Sequence, residues 1–398
     1  MATSGVTCRE MKDSIDNFRS VLVISYGTAI GAIVFNTQPA LVGALANSFG
    51  FTKIQLGNIM ATTLVAIFCL VVSSFYWVHR VASRTTVIAG TLAAVFGALS
   101  LGFASNFVGV SLSLALIGAG TAAIYVVCLA CLATARDPTR AFGVSITIQV
   151  AVASITVYLI PAYAIPLYGF KGVAGLLACL FVLAFGMLPF IPPNQRIDSA
   201  IEKDQALGRK VMLLAPLGLG AMFIYFVGLN GTWVFLERIG ADMALSAEVI
   251  GQSLAISLLF GAIGSLIASI AGRRIGTTAA LTLSGVGFLV FILLLGNANS
   301  ALVYTLALII FNAAWNFSLP YQMDLISRAD ANARYIVLIP AAQTMGGAVG
   351  PAIAGPILMS GGVTGVYVQL VVCIGVAFLL YALLANGLSR HHATGSRL

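Results

Sequence analysis

The segment FNAAWNFSLPYQMD (311–324) sets two carboxamides and an indole within little more than one helical turn. At about 100° per residue, Asn312 and Asn316 lie about 40° apart with Trp315 and Phe311 beside them, so a helix here presents a face of amides and aromatic rings. Such groups donate and accept hydrogen bonds and stack, and none changes charge near neutral pH. They suit holding a neutral, weakly acidic or aromatic organic molecule. Residue patterns that would transform one are missing: there is no HExxH, no GxSxG and no Walker loop. GAGTAA (118–123) formally fits GxGxxA, but it lies inside an apolar run with no preceding strand. Cys128 and Cys131 have CxxC spacing without a histidine or second pair, and with Cys69, Cys179 and Cys373 they sit in apolar runs as small hydrophobes. No cofactor and no metal is implied.

The elements that carry these residues follow from composition. Of 398 residues, 60% are hydrophobic and 8% charged, against about 25% charged in a soluble domain, which leaves too little polar surface for a water-facing globule. The apolar residues form runs of about 20 or more, the length at which an α-helix crosses roughly 30 Å of hydrocarbon. A transmembrane barrel would show short alternating segments instead. Twelve spans are expected, at about 20–47, 53–78, 85–104, 107–134, 140–167, 171–192, 211–237, 246–271, 277–297, 300–326, 334–360 and 363–388. The first follows the mixed-charge stretch CREMKDSIDNFR and is too long for a signal-peptide core, so it is read as a retained span.

Charge sets the orientation. With both termini cytoplasmic, only Lys53, Lys171 and Arg238 of the 20 lysines and arginines fall outside. The net charge of +8 therefore belongs to membrane-flanking loops and implies no nucleic-acid partner. The expected location is an inner or plasma membrane, with the lipid bilayer as the chain's surroundings.

Two arginine-to-glutamine frames, RAFGVSITIQ (140–149) and RYIVLIPAAQ (334–343), stand 194 positions apart (334 − 140). The same offset pairs Asn36 with Asn230 and Arg80 with Arg274, as well as Arg140 with Arg334 and Gln149 with Gln343. This register places six spans on each side of the charged segment NQRIDSAIEKDQALGRK (194–210). The expected organisation is a six-helix bundle at 1–193, a cytoplasmic linker at 194–210 and a second bundle at 211–398. It is an all-α membrane protein of twelve transmembrane helices in two repeats, a layout found in a large class of secondary transporters.

In this arrangement the chain resembles the major facilitator superfamily along nearly its whole length. The loop after span 2, FYWVHRVASR (75–84), keeps Arg80 and Arg84 of the family pattern but has His79 in place of its aspartate and Phe75 in place of its first glycine. The second copy, SIAGRRIG (269–276), keeps Arg274 and Gly276 and again lacks the acid. The Gly-Pro motif of antiporters is missing from span 5, SITVYLIPAYAIP, while GGAVGPAIAGP (346–356) in span 11 is similar to it. The resemblance implies secondary transport by alternating access, and a cavity lined largely by spans 1, 4, 7 and 10.

Gln149 and Gln343 each lie nine residues past a cytoplasmic-end arginine, so about 13 Å into the core. Asn36 and Gln38 in span 1 and Asn230 and Trp233 in span 7 fall nearer the outer side; Tyr125 and Tyr225 complete the candidate substrate site with Asn312, Trp315, Asn316, Gln149 and Gln343. For the amides the alternative is hydrogen bonding between neighbouring helices, and for Trp233 interfacial anchoring. Asp324 lies inside span 10 with Arg328 at i+4, and Glu237 ends span 7. These three, with Arg80, Arg140, Arg274 and Arg334, are candidates for coupling or gating, and a proton is the candidate coupling ion. The expected protein is a monomeric transporter of a small organic solute. The alternatives are an efflux antiporter and, in another class, a non-transporting receptor or membrane-embedded enzyme.

Overall fold

The computed structural model describes residues 17–77, 81–133, 138–191, 214–271, 274–329 and 338–395. Twelve long helices run through them: α1 Phe18–Phe49, α2 Lys53–Trp77, α3 Ser83–Phe103, α4 Phe107–Ala133, α5 Pro138–Leu159, α6 Phe170–Leu183, α7 Leu214–Trp233, α8 Ala247–Ala271, α9 Thr277–Gly296, α10 Ala301–Ala329, α11 Ile339–Ser360 and α12 Gly362–Gly395. Eleven are long and apolar enough to cross a membrane. The other, α11, is diluted by Gly346, Gly347, Gly350 and Gly355 and by three prolines, Pro340, Pro351 and Pro356. The charged segment 194–210 lies outside the described residues.

By packing, the chain forms two compact units, Met1–Gln38 with Ala66–Asp198 and Pro39–Val65 with Ser199–Leu398. The boundary in α1 falls at Pro39, which has no N–H to continue the helical ladder.

In the first unit, α3 packs on α4 and α6. Leu92, Phe96, Leu99 and Phe103 of α3 are exposed at helical spacing, an apolar stripe suited to lipid. The opposite face meets α4 through glycines: a methyl at Gly90 would lie 2.7 Å from the Gly120 oxygen, and one at Gly120 2.5 Å from the Gly90 oxygen. Small residues permit this backbone approach between membrane helices. α5 runs on through a π-turn, Ile160–Ala164, and a last turn, Ile165–Tyr168, around Pro161 and Pro166. Gly169, at φ +59°, then turns the chain into α6. Arg84 Nε donates to the Ile191 carbonyl at 2.7 Å and ties the end of the 3₁₀ segment Ala184–Phe190, which follows α6, to α3.

In the second unit α7 packs on α11 and α12, and α10 on α8 and α9. Contact between α7 and α11 is again made by glycine, with a methyl at Gly350 placed 2.5 Å from the Val227 oxygen and 2.7 Å from the Gly231 nitrogen. α7 breaks after Trp233 and resumes as the short helix Leu236–Asp242, and Tyr304 of α10 donates to the Leu236 carbonyl at 2.8 Å beside the break.

Candidate functional site

In the first unit a chain of side chains links α5 to α1. Thr28 Oγ1 donates to the Ser25 carbonyl at 2.7 Å, so its only proton is used. Ser145 Oγ, 2.6 Å away, must therefore donate to Thr28. Gln149 Nε2 in turn donates to Ser145 Oγ at 3.1 Å. Thr28 and Ser145 are buried, while the Gln149 amide is half-buried. Tyr125 of α4 packs over Gly31 of α1, where a methyl would lie 2.8 Å from its ring carbon Cγ. Asn36 is half-buried; Gln38 is 0% exposed, and neither its Nε2 nor its Oε1 has a hydrogen-bond partner within the described structure.

The second unit repeats the theme with other residues. Ser318 Oγ of α10 donates to the Trp315 carbonyl at 2.9 Å, which makes Tyr225 of α7 the donor of the 2.6 Å bond between their hydroxyls. Gln322 Nε2 adds a second donor to Ser318 at 3.0 Å. Both halves thus use a Ser-x-x-x-Gln pair on one helix, Ser145/Gln149 and Ser318/Gln322, whose serine is bonded to a hydroxyl on α1 or α7. These serines, with Thr28 and Gln322, were not among the residues singled out from sequence. The i,i+4 spacing of serine and glutamine is the signal that marks them.

The amide-and-aromatic face expected on α10 divides into two stripes. Asn312 Nδ2 donates to Ser257 Oγ of α8 at 3.0 Å, and Asn316 Nδ2 donates to the Asn312 carbonyl at 2.9 Å and lies over Gly261 of α8. Trp315 turns instead to α7, and Phe311 lies between α7 and the α9 rings Phe288 and Phe291, at 5.7 and 4.8 Å. Trp315 meets Phe226 and Trp233 edge-on at 5.9 and 6.2 Å between ring centroids, and Trp233 stacks on Phe311 at 6.4 Å with planes 4° apart. Tyr225 stacks on Phe378 of α12 at 5.9 Å. Trp233 and Tyr225 are buried, and Trp315 retains 6% exposure. The Asn230 amide donates to the Gly347 carbonyl of α11 at 2.9 Å, and Gln343 Nε2 lies 3.9 Å from the Met222 sulfur, a weak contact.

The charged candidates fall at helix ends. Asp324 pairs with Arg328 one turn later, and Arg328 also reaches Thr277 Oγ1 at 3.3 Å, at the start of α9. Glu237 is buried and accepts from Arg238 Nη2 at 2.6 Å. Arg274 is exposed. Arg80 and Arg334 lie outside the described residues, as does the side chain of Arg140. Among the described residues no group of three or more His, Cys, Asp or Glu could hold a metal ion.

A family model, Major Facilitator Superfamily, matches residues 23–329. The chain belongs to that superfamily. It is an integral membrane protein and a secondary transporter, in a family of transporters rather than enzymes. Solved structures share its fold, two of them as follows. A nucleoside transporter, NupG, superposes with a TM-score of 0.68 at 11% identity, over 93% of this chain and 99% of its own. A bacterial homologue of the human lysosomal transporter Spinster, in an inward-facing and unoccupied conformation, superposes with a TM-score of 0.71 at 13% identity, over 94% of this chain and 97% of its own. No curated protein matches the chain.

Proposed function

We propose that this chain carries a small neutral, weakly acidic or aromatic organic solute by alternating access. Supporting this reading most directly is the pair of Ser-x-x-x-Gln networks, one in each half, tying α5 to α1 and α10 to α7 with uncharged donors and acceptors. Asp324 of α10 and Glu237 of the short helix after α7 are already paired with arginines near helix ends. A cationic solute would thus find Asp324 and Glu237 already paired, whereas hydrogen-bonding and stacking groups are plentiful.

In this reading the substrate contacts are Asn36, Gln38, Tyr125 and Gln149 in one half, and Tyr225, Asn230, Trp233, Asn312, Trp315, Asn316 and Gln343 in the other. The sequence repeat, 1–193 and 211–398 joined by 194–210, supplies the two halves that move. The chain works as a monomer with both termini in the cytoplasm, in an inner or plasma membrane. If ions drive it, a proton is the candidate, with Asp324 and Glu237 the carboxylates to test.

The identifying experiment is ligand-induced thermal stabilisation of the purified protein across aromatic acids, nucleosides, sugars, amino acids and hydrophobic drugs, since a ligand that binds only the folded state raises its stability by mass action. Stabilisation by aromatic acids or nucleosides supports the reading and points to uptake. Stabilisation only by bulky drugs replaces it with efflux, and stabilisation only by multiply charged solutes refutes the neutral-solute assignment.

A further inference from the structure

The first packing unit contains an apolar groove whose lining includes none of the proposed solute contacts. Leu22 and Tyr26 of α1, Ile148 of α5, Leu183 of α6 and Gly186 and Met187 of the 3₁₀ segment line about 510 Å³, a volume within the range of small-molecule sites. Met187 is buried against α1, where a methyl on Gly27 would lie 2.6 Å from its sulfur. Tyr26 spends its hydroxyl hydrogen on the Leu180 carbonyl at 2.8 Å. Leu22, Leu183 and Gly186 are exposed, and a methyl added to Gly186 would meet nothing within 4 Å. The groove therefore opens on the surface of the unit, and an apolar opening at membrane depth meets acyl chains rather than water.

One end of this groove is basic. Arg19, exposed, stands on α1 three residues before Leu22. Arg84 is held beside the same end, donating from Nε to the Ile191 carbonyl at 2.7 Å and from Nη2 to the Pro189 carbonyl at 3.5 Å, just past Met187. No Asp or Glu occurs among the described residues of this unit, so neither guanidinium meets a carboxylate within it. The first turn of α1 also lacks an acid, and the positive end of its dipole adds to the field of Arg19. Tyr26 lies seven residues beyond Arg19, about 10 Å along the helix. The apolar walls thus fit within one leaflet, about 15 Å deep.

We propose that the groove seats one anionic phospholipid of the leaflet at that end, with its phosphate at Arg19 and the start of α1 and an acyl chain along Tyr26, Leu183 and Gly186. Charge and shape together select this occupant. A zwitterionic lipid fills the same walls, but its cationic group meets no acid among the described residues of the unit. A water-soluble anion uses the arginines and leaves the apolar walls uncovered. Bound there, the lipid bridges α1 to α5 and to the segment after α6, whichever solute the protein carries.

The test is native mass spectrometry of the purified full-length protein in detergent, titrated with phosphatidylglycerol or with phosphatidylcholine of the same chains. Wild type is compared with Arg19→Gln, with Gly186→Leu and with Lys171→Gln, an exposed basic residue at the other end of α6. Wild type is expected to bind the first phosphatidylglycerol about five-fold more tightly than phosphatidylcholine, the weight of one basic residue at an anionic surface. Arg19→Gln should remove that preference, and Gly186→Leu, which puts a side chain into space now open, should weaken both lipids. Lys171→Gln should match wild type. Equal affinity of wild type for the two lipids overturns the proposal, and so does a preference that survives Arg19→Gln or falls as far in Lys171→Gln. Displacement of phosphatidylglycerol by inorganic phosphate alone would also overturn it, since the walls would then contribute nothing. Arg19→Gln alters an exposed side chain and carries the test should Gly186→Leu fail to fold.

Discussion

Replacing Ser318 by alanine tests whether the hydroxyl network on α10 is a connected unit. Its oxygen accepts from Tyr225 at 2.6 Å and from Gln322 at 3.0 Å, and both partners are 0% exposed. Tyr225→Phe removes one interhelical bond but leaves no orphan, since Ser318 keeps Gln322 as donor and the Trp315 carbonyl as acceptor. Interhelical bonds in membranes are worth about 0.6 kcal/mol on average, so Tyr225→Phe should cost about 0.6–1 kcal/mol. Ser318→Ala removes that bond and also takes the acceptor from the buried Gln322 amide, while the Tyr225 hydroxyl keeps Gln322 and Ser284 beside it. At about 1–3 kcal/mol for a buried group left unsatisfied, the cost should reach about 2–4 kcal/mol. The double variant should cost less than the sum, because both single variants remove the same Tyr225–Ser318 bond. Reversible unfolding of the four proteins in mixed micelles, followed by tryptophan fluorescence, measures the cycle. Equal costs for the two single variants, or strict additivity in the double, would refute the reasoning.

Gly350→Ala should destabilise by about 1–3 kcal/mol, because the backbone of α7 cannot yield to the new methyl; Gly220→Ala, with nothing within 4 Å, should be neutral or stabilising in the same unfolding assay. Gln149→Ala and Asn316→Ala should each lower kcat/KM for the identified solute about ten-fold with insertion intact, the loss expected for one hydrogen bond, and wild-type kinetics in both would remove them from the site. Asp324→Asn should cost at most about 1 kcal/mol, as an exposed i,i+4 pair does, and should leave the pH profile of flux unchanged; a shifted profile would make Asp324 a proton carrier.

The spans were legible because membrane crossing depends on length and hydropathy, which are local properties of sequence. Even α11, whose glycines and prolines dilute its apolar content, was counted among the apolar runs, and the 194-residue register then paired it with α5. Direction within a span was harder to read. The 40° between Asn312 and Asn316 kept those amides together against α8, but the spacing could not show that Phe311 and Trp315, on the adjoining side, would be claimed by the rings of α7 and α9. Asn230 illustrates the same limit: its amide is bonded to the Gly347 carbonyl, a contact between residues 117 apart in sequence. The serines of the two networks were passed over because a hydroxyl is unremarkable in an apolar run until its partner on another helix is known.

The central claim is that the molecule moves a solute rather than only holding one. The most direct measurement is uptake of the best stabilising solute into liposomes containing the purified protein, with the internal compound recovered and identified. The account predicts time-dependent, saturable accumulation of chemically unchanged solute, reduced about ten-fold by Gln149→Ala. Saturable binding with no solute inside the vesicles would contradict it.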